Sequence, residues 1–291
     1  MLTSEYAVLD GALALAVPTR QGQELYYEEQ NDGKSLIRWE AFHQEELWLS
    51  VTVDYSLWKI LETNIQESAE FVLKLLKFIQ NNSADKFKGN SSYFFKTKLQ
   101  FPPDFGWGSS STLIHNLAEW AGVDPFQMNE ECLGGSGYDI AVAQQKSAIL
   151  YQLKESERII QKVDFKPSFA DDLILVHLNQ KQDTREGILH YRSKKVFPEF
   201  IEEFSEITRR VLNCENLIEF SDLMEHHEQK MSRFLQLPTV KEKFFNRLPV
   251  FVKSLGAWGG DFVLSTKFDG YQDVFSELGF SNIFNYSDVI D

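Results

Sequence analysis

The chain has 291 residues, 43% hydrophobic and 25% charged, with 43 acidic against 29 basic side chains and a formal charge of −14. That length buries a sizeable core and suits one large or two medium domains, while the acidic excess argues against a nucleic-acid backbone or an anionic membrane surface as partner. Cys132 and Cys214 lack zinc-type spacing, which fits a reducing cytosol, and the absence of signal-peptide features at the start predicts a soluble, cytoplasmic protein.

Residues 7–18 are small and apolar up to Pro18, the pattern of a segment buried on both sides, with Gly11 marking a tight turn. Residues 24–28 and 35–39 flank Asn31, Asp32 and Gly33, which predicts a β-hairpin, and a third strand over 46–53 extends it. From Ile65 the apolar residues Ala69, Val72, Leu73, Leu76 and Ile79 recur three or four apart, predicting a helix that ends in 81–83. A strand over 93–101 places Phe95, Thr97, Leu99 and Phe101 on one face and closes at Pro102 and Pro103.

That strand delivers the chain to Phe105-Gly106-Trp107-Gly108-Ser109-Ser110-Ser111, a glycine turn feeding a helix whose core stripe is Leu113, Leu117, Trp120 and Ala121 and whose stop is Gly122. Two glycines let the backbone N–H groups curl inward, and three hydroxyls stand at the positive end of the helix dipole. Such a loop is an anion site, with phosphate its usual occupant. Ser109 acting only as a helix cap is the plainer reading of the same residues.

A second glycine cluster, Leu133-Gly134-Gly135-Ser136-Gly137-Tyr138-Asp139-Ile140-Ala141, precedes a strand over 147–153 and an exposed stretch over 154–158. A lobe boundary is expected within 155–170. Beyond it come a buried strand over 172–178, a polar turn over 179–184 and two amphipathic helices, Pro198–Leu212 and Leu217–Leu235. The third cluster, Lys253-Ser254-Leu255-Gly256-Ala257-Trp258-Gly259-Gly260-Asp261, lies between strands over 250–252 and 262–264. A hairpin would explain it, but three glycines beside a lysine suggest backbone brought close to something bulky and charged. His226 and His227 with Glu225 and Glu228 could suggest a metal, but adjacent helical residues point about 100 degrees apart, so the histidine pair cannot chelate one ion well, and the group reads as a solvated face. His177 reads as a core or lobe-interface histidine.

Three of these stretches together resemble the motifs of the GHMP kinases, the superfamily of galactokinase, homoserine kinase, mevalonate kinase and phosphomevalonate kinase. Leu2-Thr3-Ser4-Glu5-Tyr6-Ala7-Val8-Leu9-Asp10-Gly11 resembles the first motif, Gly106-Trp107-Gly108-Ser109-Ser110-Ser111 the phosphate loop, and Lys253 to Asp261 the glycine turn of the second lobe. Within the superfamily Glu5-Tyr6, Gly259-Gly260-Asp261 and the 134–141 cluster look most like phosphomevalonate kinase. The run Gly137-Tyr138-Asp139-Ile140-Ala141 fits a bacterial group of GHMP kinases known by that GYDIA string.

The resemblance implies an α+β, two-lobe GHMP kinase fold: a ribosomal-protein-S5-domain-2-like N-terminal lobe over residues 1–160 and a ferredoxin-like C-terminal lobe over 161–291, with ATP and substrate between them. It implies that Gly106, Trp107, Gly108, Ser109, Ser110 and Ser111 wrap the ATP phosphates, that Gly256, Ala257 and Gly259 close on them, and that Ser110 offers its hydroxyl to Mg2+. Asp139 matches the aspartate that takes the proton from the acceptor hydroxyl. Glu5, Tyr6, Tyr138, Lys253 and Arg185 are the expected substrate-binding residues, with Lys181, Arg185 and Lys253 the cations available to a phosphorylated acceptor.

There are departures from the family pattern. The first motif normally opens with a Pro-Gly-Lys segment, and Met1 stands just after where that lysine would be, so either residues are missing upstream or another cation such as Lys253 substitutes. Trp107 and Trp258 stand where better-known kinases carry Leu or Gly; they either stack on a base or ribose or fill the pocket. Glu130 and Glu131 are the acids nearest the expected magnesium-binding glutamate, and neither is assigned as a ligand.

The expected activity is that of an ATP- and Mg2+-dependent kinase transferring the γ-phosphate to a hydroxyl or phosphate acceptor, with mevalonate or phosphomevalonate in isoprenoid precursor synthesis as the favoured acceptors. The alternatives are a diphosphomevalonate decarboxylase-like enzyme and a non-catalytic nucleotide- or metabolite-binding homologue. The partner expected is a small-molecule acceptor, not nucleic acid or membrane, and a homodimer is compatible with the sequence.

Overall fold

The small, apolar run at the start of the chain is not one extended segment. A 3-10 turn over Ala7–Asp10 ends on left-handed Gly11, and only then does the short strand β1 (Ala14–Ala16) begin. The computed structural model describes residues 1–155, 157–180 and 184–291. They form two compact units that interleave along the chain. One comprises Met1–Arg20, Asp104–Gly106 and Gln145–Asp291, the other Gln21–Pro103 and Trp107–Gln144.

The second of these units begins with strands β2 (Gln23–Gln30), β3 (Leu36–His43), β4 (Glu46–Asp54) and β5 (Lys59–Thr63), followed by α1 (Gln66–Asn82) and β6 (Ser92–Leu99). Their order in the sheet is β2-β6-β3-β4-β5. The hairpin predicted around Gly33 is therefore absent: β6 lies between β2 and β3, antiparallel to the first and parallel to the second. Tyr93, Phe95, Thr97 and Leu99 of β6 are all buried, so this strand belongs at the sheet interior, whereas β2, rich in exposed glutamates, suits an edge. The polar turn serves β6 directly: Ser92 Oγ donates to Asp32 at 2.8 Å and the Ser35 N–H donates to the Asn90 carbonyl at 3.0 Å.

Helices α2 (Ser109–Ala121), α3 (Pro125–Cys132) and α4 (Tyr138–Gln145) complete this unit. Val72, Leu75, Leu76 and Ile79 of α1 and Ile114 and Leu117 of α2 pack with Ile37, Trp39, Val51 and Phe95 of the sheet into one core. At its centre Phe95 stacks on Trp39, ring centroids 5.1 Å apart, and meets Trp120 edge-on at 4.9 Å.

In the other unit β1 pairs with β7 (Ile149–Lys154), which pairs in turn with β8 (Glu157–Lys162). Leu15 lies opposite Leu150, and this pairing groups residues 145–162 with the chain's start and end rather than with residues 21–144. The units thus do not follow a single cut at residue 160. The rest comprises β9 (Leu173–His177), α5 (Thr184–Arg192), α6 (Pro198–Leu212), α7 (Leu217–Leu235), α8 (Val240–Phe244), β10 (Val252–Leu255), β11 (Phe262–Thr266), α9 (Tyr271–Glu277), β12 (Ile283–Asn285) and α10 (Tyr286–Val289). The sheet order β10-β11-β9-β12, antiparallel throughout, is that of a ferredoxin-like split βαβ arrangement.

Phe95 is fully buried, so Phe95→Ala should cost about 3–5 kcal/mol through lost transfer energy and the cavity left behind. Tyr26→Ala, at a half-exposed edge position, should change stability by less than about 0.5 kcal/mol. Urea unfolding followed by fluorescence measures both.

Candidate functional site

Two glycine-bearing constructions, one in each unit, carry the residues singled out above. In the first, Gly108 is the capping residue of α2 and has φ +83°, a backbone conformation that L side chains rarely adopt. Having no side chain, it leaves the first-turn N–H groups of α2 without a side-chain cap, and Ser109 is the first helical residue rather than the cap. Ser109 and Ser110 are half-buried and Ser111 is buried. The helix is fixed to β2 by Thr112, whose hydroxyl donates to Gln23 Oε1 at 2.8 Å, and by Asn116, whose amide donates to the Gln23 carbonyl at 2.9 Å. Trp107 rests on Phe101 just beyond the end of β6, ring centroids 5.7 Å apart.

Asp139 is the second residue of α4, reached through Gly134, Gly135 and Gly137, all left-handed. A Cβ placed on Gly108 would lie 3.9 Å from Asp139 Oδ1. Asp139, the carboxylate expected to act as base, thus lies close to the glycine that starts α2, although 31 residues separate them in sequence. Burial pushes the Asp139 pKa up, which makes its carboxylate a stronger base than a solvated one. Tyr138 is half-buried beside it. Glu130 and Glu131 lie on α3, where Glu131 accepts from Gln127 of the same helix at 3.0 Å. No group of three His, Cys, Asp or Glu among the described residues could hold a metal ion.

The second construction is the turn over 256–260 between β10 and β11. Its Gly260 N–H donates to the Ala257 carbonyl at 2.7 Å, and the Gly259 carbonyl accepts from Gln180 at 2.8 Å. The Trp258 N–H donates to the Tyr6 hydroxyl at 2.7 Å and its indole N–H donates to the Pro238 carbonyl at 3.3 Å. Trp258 also packs against a cluster that includes Tyr6, Tyr191 and Phe204, so its place in this unit is explained by packing. Tyr6 in turn stacks on Tyr191, centroids 5.7 Å apart. Gly106 belongs to this unit, and the Asp261 carboxylate sits so close that a Cβ on Gly106 would lie 1.8 Å from Oδ2; only glycine fits. Phe105 beside it contacts His177 and Phe262.

Glu5, Tyr6 and Lys253, three of the expected substrate-binding residues, are buried and joined to one another or to this turn. Lys253 is 1% exposed, and its Nζ donates to Glu5 Oε1 at 2.7 Å and to the Ser254 carbonyl at 2.8 Å. Arg185 is exposed on the first turn of α5; Lys181 lies outside the described residues. His227, read as part of a solvated face, is instead 1% exposed, and its Nε2 accepts the Ser4 N–H at 2.7 Å. Glu228, read as part of the same solvated face, is likewise buried, at 2% exposed. A signal was present: Phe220, Leu223, Met224, Met231 and Leu235 form the buried stripe of α7, and helical spacing puts positions 227 and 228 on it.

The sequence matches no protein-family model and no curated protein. Solved structures do resemble the fold. The galactokinase of Lactococcus lactis in complex with galactose superposes with a TM-score of 0.69 at 12% identity, covering 100% of this chain and 90% of that one. The mevalonate kinase of L. major in complex with R-mevalonate gives 0.65 at 13% identity, covering 95% and 87%. The phosphomevalonate kinase of Streptococcus pneumoniae, in complex with phosphomevalonate and AMPPNP, gives 0.65 at 15% identity, covering 96% and 94%. At such identities the likeness is one of architecture, and the architecture is the α+β fold of the GHMP kinase superfamily.

Proposed function

We propose that this chain is an ATP-dependent small-molecule kinase that phosphorylates an acceptor hydroxyl or phosphate, with mevalonate or phosphomevalonate as the favoured acceptor. The observation that carries this reading is the nearness of Asp139 to the glycine-led start of α2, where a Cβ on Gly108 would lie 3.9 Å from the Asp139 carboxylate. Phosphoryl transfer asks a protein mainly for anion binding, alignment and a carboxylate near the attacking oxygen, and those parts meet here.

In this reading the first-turn N–H groups of α2 and the hydroxyls of Ser109, Ser110 and Ser111 bind phosphate oxygens, and Trp107, braced by Phe101, walls the loop. Asp139 accepts the proton of the acceptor hydroxyl as that oxygen attacks the γ-phosphate, and Tyr138 lines the acceptor's place. Ser110 would hold Mg2+, since hydroxyl and carboxylate oxygens are the hard donors this ion takes, and the ion when bound supplies positive charge to the phosphates. In the other unit, Gly256, Ala257 and Gly259 offer backbone groups to phosphate oxygens, and Arg185 is the exposed cation for an anionic acceptor.

Turnover of mevalonate, phosphomevalonate and galactose with ATP and Mg2+, with product phosphate followed directly, tests the reading. Carbon dioxide release would instead identify a decarboxylase, and nucleotide binding without turnover a binding homologue. Asp139→Asn should lower kcat by about 10²–10⁴-fold, the range of general-base contributions, while calorimetry shows ATP still bound. Because the Asp139 pKa is raised, kcat/KM should climb with pH along an acidic limb lying above the ordinary carboxylate range, and that limb should vanish in the variant. Ser110→Ala should weaken Mg2+-dependent nucleotide binding by about tenfold, or about 1.4 kcal/mol.

A further inference from the structure

Within the unit that carries the 256–260 turn, four ionisable side chains, each less than a tenth exposed, lie together: Glu5, His227, Glu228 and Lys253. Lys253 donates to Glu5 Oε1. Glu228 accepts the Ser254 hydroxyl at 2.8 Å and the Ser254 N–H at 3.2 Å. His227 Nε2 accepts the Ser4 N–H and stands 3.3 Å from Glu5 Oε2, an oxygen with no hydrogen-bond partner among the described residues. Ser4 and Tyr6, on either side of Glu5, have positive φ values of 66° and 62°, a geometry that costs a non-glycine residue about 1–3 kcal/mol and persists only where the surroundings over-determine it. Here they do so, and both ends of the cluster lead to one place. Lys253 and Ser254 belong to β10, which runs into the turn, and Tyr6 accepts the Trp258 N–H within the turn itself.

We propose that the Glu5–His227–Glu228–Lys253 cluster is a positioning device that holds the 256–260 turn, and that gain or loss of a proton at Glu228 switches it between a tight and a loose state. The inference rests on the reading of that turn as part of the phosphoryl-transfer machinery only for its effect on rate; its effect on the turn stands without it.

The charges are unbalanced when both carboxylates ionise. Burial, with Lys253 nearby, drives the His227 pKa well below its usual value, so the ring is neutral, and one ammonium faces two carboxylates. A proton on Glu228 restores neutrality. Burial pushes the Glu228 pKa up to about 7 against the pull of Lys253. A carboxyl whose folded pKa is raised contributes stability below its ordinary pKa and loses it as pH climbs through the folded value, so the tight state belongs to the acid side of about pH 7. The groups acting on Glu228 are Lys253 and Ser254 from β10 and Glu5 from the N-terminal segment; on α6, Ser205 and Thr208 bond to Leu13 and Ser4 instead. Of the other charges on α7, Lys230 pairs with Glu203, Glu219 with Arg210 and Glu225 with Lys241.

Hydrogen–deuterium exchange of the full chain, without nucleotide or acceptor, tests this on peptides covering residues 254–261 after correction for intrinsic exchange. Between about pH 6 and about pH 8 the wild-type turn should lose protection about tenfold, whereas Glu228→Gln, which mimics the protonated acid, should keep its low-pH protection throughout. Tyr6→Phe, which cuts the link to Trp258, should expose the turn at both pH values while circular dichroism stays native. The same pH dependence in Glu228→Gln as in wild type, or none in either, overturns the proposal. Where an acceptor is turned over, an alkaline fall in kcat present in wild type and absent in Glu228→Gln supports the switch, and a fall shared by both overturns it. A chain that turns over no acceptor removes the kinase reading and leaves the exchange result to decide on the cluster.

Discussion

A lysine ammonium taken out of water loses several kcal/mol of hydration unless a carboxylate meets it in good geometry, and Lys253 meets Glu5 at 2.7 Å. That pair ties the segment before β1 to β10, residues 248 positions apart in sequence. Much of this unit hangs on the junction. Ser4 is anchored to α7 through His227 and to the Leu13 carbonyl through its own hydroxyl, Thr3 meets Thr208 of α6 at 2.8 Å, and Tyr6 reaches the turn. A short strained segment thereby becomes the common partner of two helices, a strand and a glycine turn. Breaking such a pair on one side leaves a buried charge uncompensated, which is why it constrains the structure more than its own net energy suggests.

The two glycine constructions use the residue for different physical reasons. Gly108 supplies a left-handed backbone at a helix start, which keeps side chains away from the first-turn N–H groups. Gly106 supplies room, since the Asp261 carboxylate occupies the space a Cβ would need. Two positions apart in the sequence, the two belong to different units, for the chain leaves one and enters the other between Gly106 and Trp107. A single motif read from sequence thus carries two structural duties.

What was legible in the sequence was local. The helices Pro198–Leu212 and Leu217–Leu235 have the predicted bounds because apolar spacing, an N1 proline and an asparagine cap all act within a few residues. The alternation of β6 was equally plain. Its partners were not, because strand pairing is decided by which strand is apolar enough for the sheet interior, and a good turn sequence at Gly33 carries no information on that competition. The polar cluster around Lys253 was hidden for a related reason. A lysine beside glycines reads as a free cation, and only the carboxylate brought to it from the other end of the chain makes its burial affordable. Asp139 and the 106–111 loop were recognisable as motifs, but nothing local in either stretch says that Asp139 comes to lie near Gly108.

The interleaving of the units bears on how the chain is made. Residues 21–144 contain a complete sheet and its covering helices, apart from three residues assigned to the other unit, so they have their partners in hand before the remaining half emerges from a ribosome. Residues 1–20 precede that unit but must wait: β1 finds β7 only after more than a hundred further residues, and Glu5 finds Lys253 about a hundred later still. A nascent chain therefore holds an apolar segment without its strand partner while residues 21–144 already have theirs, the circumstance in which chaperone capture is most useful.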